Sequence, residues 1–224
     1  RVEGWYSETS IGEIIWDLYD SVAEPHDAIA LGFKPIFDVM TGPQVTTDAF
    51  TSIFSFAAGL RQVASADSAA INALLAAENI AVTDDFGSDE GNDGGDSSVL
   101  PIYPSLPDGQ TSVCVRATAG AGDNNKLGNR KFFRLVNQTQ RLVTITAIGA
   151  ADQGVAGSVA ATDPDIFVFR RGAIEAAGIT DGSATETLPQ ITLEPGTHII
   201  EVYDFDLQFQ SSAPRCMTLS ITGT

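Results

Sequence analysis

The chain has 224 residues, with 12 Lys or Arg against 29 Asp or Glu and a formal net charge of −17. So few cations cannot release counterions from phosphates, which excludes nucleic acid and an anionic membrane surface as partners. Hydrophobic residues make up 43% of the sequence, enough for a normal core, which excludes global disorder. No apolar run approaches the ~18 residues of a membrane span, so we expect no membrane insertion.

The first residue is Arg1 rather than Met, and no charged-then-apolar leader follows it. We interpret the chain as a processed product or a fragment, with any secretion signal outside it. Only two Cys and two His are present, and the zinc-binding His-Glu-x-x-His motif is missing, so we expect no zinc in this chain. His26 and His198 are expected to be surface or hydrogen-bonded residues rather than metal ligands or acid–base groups.

The first 80 or so residues are Ala-rich, and their apolar residues recur at helical spacing. Ser10 and Glu13 match a capping box, which predicts the start of a helix that ends at Glu24-Pro25. The apolar stripe of this helix comprises Ile11, Ile14, Ile15, Leu18, Tyr19 and Val22. Three more helices are predicted: a short one at 35–40, one capped by Thr47 or Asp48, and one capped by Ser65 or Asp67.

An acidic segment follows, at 84–97, and it contains six carboxylates interleaved with Gly and Asn. Prolines 101, 104 and 107 come next, which suits an extended connector. Because calcium takes six to eight oxygen ligands, the segment also predicts a calcium site, although its order does not fit an EF-hand. The alternative is a solvated linker that self-repulsion keeps extended. The predicted ligands are Asp84, Asp85, Asp89, Glu90, Asp93 and Asp96.

From Thr111 the apolar period changes to two, which is typical of strands. Strands are predicted at 112–116, 130–137, 142–148, 165–170, 187–193, 198–203 and 216–222. Seven short strands separated by turn signals indicate an antiparallel β-sandwich. The predicted fold class is therefore α+β with two domains: a helical unit at 1–83, an acidic linker at 84–110 and a jelly-roll-like sandwich at 111–224.

Cys114 and Cys216 fall on the first and last predicted strands, which can be neighbours in a sandwich. We favour a disulfide over two buried thiols. It would close a loop of roughly 100 residues and stabilise the fold by ~4–5 kcal/mol in the chain-entropy model. A disulfide implies an oxidising compartment, so we expect an extracellular or periplasmic location.

Two other acidic groups are candidates for a functional site. Asp163, Asp165 and Asp204, with Asp206 nearby, form a weaker candidate calcium cluster, for which ordinary turn carboxylates are the alternative. Glu8 follows Gly4-Trp5-Tyr6-Ser7, and aromatics beside a carboxylate indicate either a cleft or an anchored Trp/Tyr pair with a polar neighbour. Glu8 is thus the one catalytic candidate. Glu13, Asp17 and Asp20 share a helix face, which is more simply a solvated face.

Several segments also carry a resemblance to known families. The first set comprises Gly4–Glu8, Trp16–Asp20, Leu31–Phe33, Thr51–Phe56, Phe86-Gly87, Asn92–Gly95 and Asn125–Asn129. These segments resemble the C-terminal stretch of secreted bacterial zinc-metallopeptidase-like proteins. The second set comprises Phe133–Leu135, Asp163–Val168, Leu193–His198 and Val202–Asp204. These segments are similar to a bacterial pre-peptidase C-terminal (PPC) domain, a β-sandwich appended to secreted proteases.

The resemblance implies separate roles for the helical unit and the sandwich. The zinc-binding helix of such proteins lies upstream of these segments, so residues 1–80 would complete or buttress a catalytic domain, with Glu8 at best near its cleft. The sandwich would be an accessory module for secretion, stability or surface attachment, and calcium at its joint would fit some relatives. We therefore predict a non-catalytic C-terminal portion of a secreted metallopeptidase-like protein, whose partner is the upstream catalytic domain of the parent.

The sequence is also compatible with two alternative functions. The chain could be a released extracellular structural subunit that binds copies of itself through sandwich edges or the helical face. It could also be a carbohydrate-binding module, since jelly-roll sandwiches often bind sugars, although fold analogy is a weak warrant. We expect few aromatic side chains of the sandwich to lie outside its core, which counts against the second alternative.

Overall fold

The computed structural model describes residues 3–21, 29–116, 127–149, 162–208 and 214–223. The described residues up to Ile102 form one compact unit, and those from Tyr103 onward form a second. The acidic segment at 84–97 therefore groups with the helices, whereas the sequence predicted a separate linker at 84–110. His26 and the predicted helix end at Glu24-Pro25 lie outside the described residues.

In the part of the helical unit that the structure describes, five helices surround an apolar core. The helices are α1 (Glu8–Tyr19), α2 (Phe33–Thr41), α3 (Pro43–Thr46), α4 (Ile53–Val63) and α5 (Ser68–Ala77), with 3₁₀ turns at Ser65–Asp67 and Ser97–Val99. The core of the unit includes Ile14, Leu18, Val39, Phe54, Leu60, Ile71 and Leu75, each at most 2% exposed. Packing against this core accounts for most of the stability of the helices, because short helices are marginal in isolation.

The first helix begins earlier than predicted. Its N-cap is Ser7, whose Oγ accepts a hydrogen bond from the Ser10 amide at 3.4 Å. The predicted capping box at Ser10 and Glu13 is therefore wrong: Ser10 is buried in the first turn, where its Oγ accepts a hydrogen bond from the Gly4 amide. The helix ends at Tyr19, before the predicted end. Its buried stripe is narrower than the sequence suggested, because Tyr19 is 49% exposed.

The cap of α4 also differs from the prediction. Ser52, rather than Thr47 or Asp48, occupies the N-cap, and it exchanges reciprocal bonds with Ser55 in a capping box. Thr47 instead donates to the carboxylate of Asp85. Serine at both positions satisfies two of the orphan amides of the first turn, a combination that the Ser/Thr-to-Glu/Gln pattern does not cover.

The second unit is an antiparallel β-sandwich, which confirms that part of the predicted fold class. Its strands are β1 (Gly109–Val115), β2 (Arg130–Asn137), β3 (Arg141–Gly149), β4 (Pro164–Arg170), β5 (Ala173–Gly178), β6 (Thr185–Leu193), β7 (Gly196–Asp204) and β8 (Arg215–Gly223). They form two four-stranded sheets in the orders β1-β8-β3-β6 and β2-β7-β4-β5. Among the described residues this is the strand order of an eight-stranded jelly roll.

Alternation along the strands builds the sandwich core. Residues such as Val113, Ile145 and Leu219 of one sheet face Phe133, Ile166 and Ile200 of the other sheet in one buried cluster. The intervening residues point outward, as the period of two requires. The seven predicted strands match observed strands to within a few residues, whereas β5 was not predicted.

The missed strand completes a tight hairpin. Arg171 and Gly172 join β4 to β5 with φ values of 49° and 74°. Two positive φ values in a two-residue loop give a type I′ turn, whose twist matches the flanking strands. The sequence of β5 is Ala-Ile-Glu-Ala-Ala-Gly, and Ala and Gly are depleted in strands, so propensity alone could not identify it.

The predicted disulfide is present. Cys114 of β1 and Cys216 of β8 are directly opposed in the strand register, and their sulfurs are bonded. The bridge lies on the outer face of its sheet, since the core-facing neighbours are Val113, Val115 and Met217. The first and last strands of the sandwich are thus joined covalently as well as by backbone hydrogen bonds.

Candidate functional site

The aromatic segment before α1 anchors the acidic segment. The indole Nε1 of Trp5 donates to the Asn92 carbonyl at 2.8 Å, and the Trp5 ring packs 5.7 Å from that of Phe54. The Tyr6 hydroxyl lies 3.4 Å from Asn92 Oδ1, and burial raises the pKa of this phenol. Of the two interpretations left open for this segment, these contacts fit the anchored Trp/Tyr pair. Glu8 is exposed in the first turn of α1.

Most of the carboxylates at 84–96, which we call the acidic joint, bind amides of their own turns. Asp84 accepts from the amides of Phe86 and Ser88, both at 3.0 Å. Glu90 is 8% exposed and accepts from the amides of Ala81 and Asn92. Two further joint carboxylates act in the same way, Asp93 on Gly95 and Asp96 on Ser98, whereas Asp85 binds Thr47 and Asp89 is exposed.

These bonds use carboxylate oxygens that a calcium ion would need. An Asp or Asn side chain that binds an amide two residues further on forms an Asx turn, which replaces a backbone turn bond. In the part of the chain that the structure describes, no three His, Cys, Asp or Glu side chains gather in a metal-holding group. Calcium at the joint therefore stays a prediction from composition.

The three carboxylates of the weaker cluster have different partners. Asp163, just before β4, accepts from the amides of Gly182 and Ser183 at 3.0 and 3.2 Å, so it fixes the turn that precedes β6. Asp204 is fully buried at the end of β7, and Arg215 of β8 lies 3.3 Å from its carboxylate. Asp165 points to the outer face of its sheet and binds the Tyr203 hydroxyl. Of the three, Asp163 is a turn carboxylate, as in the alternative interpretation.

Asp163 and Asp165 line a small cavity in the sandwich. The cavity has a volume of about 250 Å³, and Asp181 with the rings of Phe167, Tyr203 and Phe205 also lines it. Asp165 is 5% exposed, and burial raises its pKa from 3.8 to about 6. The Tyr203 hydroxyl opposes this shift, whereas neighbouring carboxylates reinforce it. We call this cavity the sandwich pocket.

Tyr203 links the sandwich pocket to an ion pair on the same face. The guanidinium of Arg130 lies over its ring at 5.2 Å, and Arg130 also binds Glu201 at 2.5 Å. Burial raises the pKa of Glu201, and the charge of Arg130 opposes that rise. Burial, and then the bond to Asp165, also raise the pKa of the Tyr203 phenol. The arrangement keeps the hydroxyl protonated as a hydrogen-bond donor.

Aromatic side chains line the outer face of the β2-β7-β4-β5 sheet, contrary to our expectation. Of the aromatic residues in the described strands, Phe133 belongs to the core cluster. Phe132, Phe167, Phe169 and Tyr203 alternate with core positions and are half-buried on the other side. The rings of Phe167 and Tyr203 lie 6.2 Å apart and nearly parallel. The expectation was wrong because these residues, although apolar, occupy the outward positions of the two-residue period.

His198 is a fully buried structural residue. Its Nδ1 lies 2.7 Å from Glu175 of β5, and its Nε2 lies 2.9 Å from the Glu194 carbonyl. The imidazole thus ties β7 to β5 and to the turn after β6, which confirms the expected hydrogen-bonded role.

The sequence did not identify Asp181 and Tyr203, which line the sandwich pocket. It also did not identify Arg130, which lies over the Tyr203 ring. The alternation of Val202, Tyr203 and Asp204 gave the outward direction of the phenol, and that signal could have identified Tyr203. Nothing local in the sequence indicates that Arg130 lies beside it, because that contact depends on the pairing of β2 with β7.

Within the described residues, no helix is long and apolar enough to cross a membrane. No protein-family model and no curated protein matches the chain.

Some solved structures are similar to the chain at low identity. The pre-peptidase C-terminal domain of a Bacillus anthracis collagenase is 10% identical over 54% of this chain and 94% of that domain, with a TM-score of 0.36. A periplasmic inhibitor of g-type lysozyme from Aeromonas hydrophila is 13% identical over 55% of this chain and 95% of that protein, with a TM-score of 0.31. Likenesses at these TM-scores do not establish a shared fold or function.

Proposed function

We propose that the chain is a non-catalytic accessory portion of a secreted protein, in which the sandwich supports or targets a catalytic portion. The observation that carries the proposal is the Cys114–Cys216 bond between the first and last strands of the sandwich. Disulfides persist in oxidising compartments, so the bond supports an extracellular or periplasmic location. The sequence resemblance supports a metallopeptidase-like parent, whose catalytic domain would be the partner.

The use of the carboxylates supports the non-catalytic part of the proposal. Asp84, Glu90 and Asp163 each hold backbone amides, and Asp204 is buried beside Arg215. Groups committed in this way stabilise turns and strand ends, and they are poorly placed to bind a substrate. The conclusion is an accessory role performed by shape and by surface contacts.

Hydrolysis assays test the proposal directly. The isolated chain is incubated with casein and with a mixed peptide library, with and without added zinc, and we expect no turnover in either condition. The matched control is a Glu8→Gln variant, which should behave like the unaltered chain. Zinc-dependent turnover that Glu8→Gln removes would overturn the proposal and identify Glu8 as a catalytic residue.

A specific observation keeps carbohydrate binding as a second candidate function. Phe132, Phe167 and Phe169 line the outer face of the β2-β7-β4-β5 sheet, and aromatic faces can stack on sugar rings. Tyr203 is less suited, since Arg130 lies over its ring and Phe167 packs beside it. A glycan array probed with the chain and with Phe167→Ala tests this candidate, and silence on the array removes it.

Calcium binding and self-assembly stay predictions, and one experiment tests both. Sedimentation velocity is measured with and without Ca²⁺ for the chain and for an Asp93→Asn/Asp96→Asn variant. Calcium-dependent assembly that the variant loses would support a structural subunit held together through the acidic joint. A monomer in both conditions removes self-assembly, and isothermal titration of the same samples then decides calcium binding by itself.

A further inference from the structure

The helical unit exposes a cluster of large apolar side chains. Trp16 and Tyr19 of α1 are 58% and 49% exposed, and Phe33, Phe37 and Met40 of α2 are 62%, 49% and 57% exposed. Single exposed apolar residues are normal on soluble proteins, whereas contiguous apolar patches mark interaction sites. We call these five residues the aromatic helix face.

Ring contacts within each helix and backbone hydrogen bonds between the helix ends hold this face together. The Trp16 and Tyr19 rings lie 5.9 Å apart, and those of Phe33 and Phe37 lie 5.7 Å apart. The amides of Leu31 and Gly32 both donate to the Leu18 carbonyl, at 2.8 and 3.1 Å. These bonds hold the start of α2, with Phe33, beside the end of α1, with Tyr19.

The face is additional to the apolar stripe that folds the unit. Helix α2 already buries Ile36 and Val39 in the core. Phe33, Phe37 and Met40 recur at i, i+4 and i+7, so they form a second stripe along the same helix. A nine-residue helix that is apolar on two faces gains stability from a neighbour on each, because burying apolar area contributes about 25 cal/mol per Å².

The charges around the face describe the neighbour that it fits. Glu13, Asp17 and Asp20 follow α1 at i, i+4 and i+7, next to Trp16. On α2, Lys34 is paired with Asp38. Residues 1–100 contain 17 acidic and three basic residues. A second copy would bring the same acidic rim against this one, and like charges facing one another oppose association.

We infer that the aromatic helix face docks a protein surface with an apolar centre and a Lys/Arg rim. The aromatic rings would fill apolar pockets at the centre of the interface, and the carboxylates of α1 would face the basic rim. The inference does not require the proposed function. A chain that proved hydrolytic would overturn that proposal and leave this face unchanged.

Trp16 provides the readout for a direct test. A Trp5→Phe background leaves Trp16 as the one tryptophan, since the sequence contains two. Two synthetic amphipathic helical peptides serve as probes. They have the same length and the same Leu face, and carry either Lys or Glu on the polar face. Binding is followed by the blue shift of Trp16 emission and by protection from acrylamide quenching.

We expect the Lys peptide to shift and protect Trp16, more weakly in about 1 M salt, where the Debye length is ~3 Å. The Glu peptide should have no effect. Phe33→Ser/Phe37→Ser should weaken binding at least ~10-fold, as expected for central aromatic anchors. The matched control is Ile174→Ser, which removes a side chain of equal exposure to Trp16 from the sandwich and should change nothing. Circular dichroism confirms that the variants fold.

Three results would overturn the inference. One is the absence of binding to the Lys peptide. Another is equal binding of the Lys and Glu peptides, which would show unspecific apolar contact. The third is self-association of the chain that Phe33→Ser/Phe37→Ser abolishes, because a second copy would then be the occupant.

Discussion

Most carboxylates of the acidic joint bind nearby backbone amides, whereas two carboxylates of the sandwich bind cations on other strands. Asp84, Asp93 and Asp96 bind amides two to four residues further along the chain. In the sandwich, Glu201 binds Arg130, 71 residues away, and Asp204 binds Arg215 on a strand of the other sheet. The first arrangement stabilises a turn that the local sequence already favours. The second arrangement joins strands that come together only when the sandwich folds.

The two units also differ in how they treat apolar residues. The sandwich buries its alternating aliphatic residues between two sheets and keeps aromatic rings on one outer face. The helical unit leaves five large apolar side chains of α1 and α2 exposed. The sandwich also exposes aliphatic residues such as Leu142 and Ile174, whereas the exposed residues of α1 and α2 include two pairs of adjacent rings. The predictions below test this contrast.

The largest expected effect comes from the covalent link in the sandwich. Cys114→Ser/Cys216→Ser should lower the free energy of unfolding by ~4–5 kcal/mol, because the bond restrains a loop of about 100 residues in the unfolded chain. Urea denaturation followed by circular dichroism measures the change. The unaltered chain in reductant should match the variant, and a loss below about 1 kcal/mol would contradict the prediction.

The second largest effect should come from removing the cation beside a buried carboxylate. Arg215→Met leaves the fully buried Asp204 without this partner and should cost ~3–5 kcal/mol. The matched control is Arg141→Met, which breaks an ion pair with the exposed Asp108 and should cost at most ~1 kcal/mol. Equal losses in the two variants would show that burial does not separate these pairs.

The pH dependence of stability should report Asp165. Its pKa of about 6 in the folded chain lies above its ordinary 3.8, so the folded state binds this proton more tightly. The stabilisation is therefore complete below the ordinary pKa and is lost as pH rises through about 6. We expect Asp165→Asn to remove that loss, so that the variant gains stability relative to the unaltered chain between pH 4 and 8, as measured by urea denaturation at each pH.

Tyr203→Phe sharpens the same prediction. The phenol hydroxyl favours the ionised carboxylate, so its removal should raise the pKa of Asp165 and shift the loss of stability to higher pH. A shift to lower pH would mean that another group titrates in this range. A single stability curve for both proteins would show that the hydroxyl does not act on Asp165.

The smallest expected effect is in the acidic joint. Asp84→Ala removes acceptors for the Phe86 and Ser88 amides and should cost ~1 kcal/mol, the usual value for a net hydrogen bond. Asp89→Ala changes an exposed carboxylate of the same segment and should be neutral. Because both tryptophans lie in the helical unit, their fluorescence during urea denaturation measures both variants. A larger loss of stability for Asp89→Ala than for Asp84→Ala would contradict the role of Asp84 as the acceptor that stabilises this turn.

Local signals explain which elements the sequence predicted. The strand from Arg215 to Gly223 was predicted to within one residue at each end, because apolar and polar residues alternate from Met217 to Ile221. The buried residues of α5, which are Ile71, Leu74 and Leu75, recur at helical spacing. The cap at Ser7 was missed because a second Ser, at position 10, matched the expected pattern better. Strand β5 was missed because Ala and Gly dominate it, and its place in the sheet is fixed by pairing with β4.

By itself the sequence determined that helices precede an antiparallel sandwich. It also determined that Cys114 lies on the first strand of the sandwich and Cys216 on the last. These features follow from periodicity and turn chemistry, which act over a few residues. Only the tertiary structure decided that the joint carboxylates cap turns, that Phe167 and Tyr203 face outward beside Asp165, and that α1 and α2 share an exposed aromatic face. Those outcomes depend on which strands and helices become neighbours, and that is a property of packing across the whole chain.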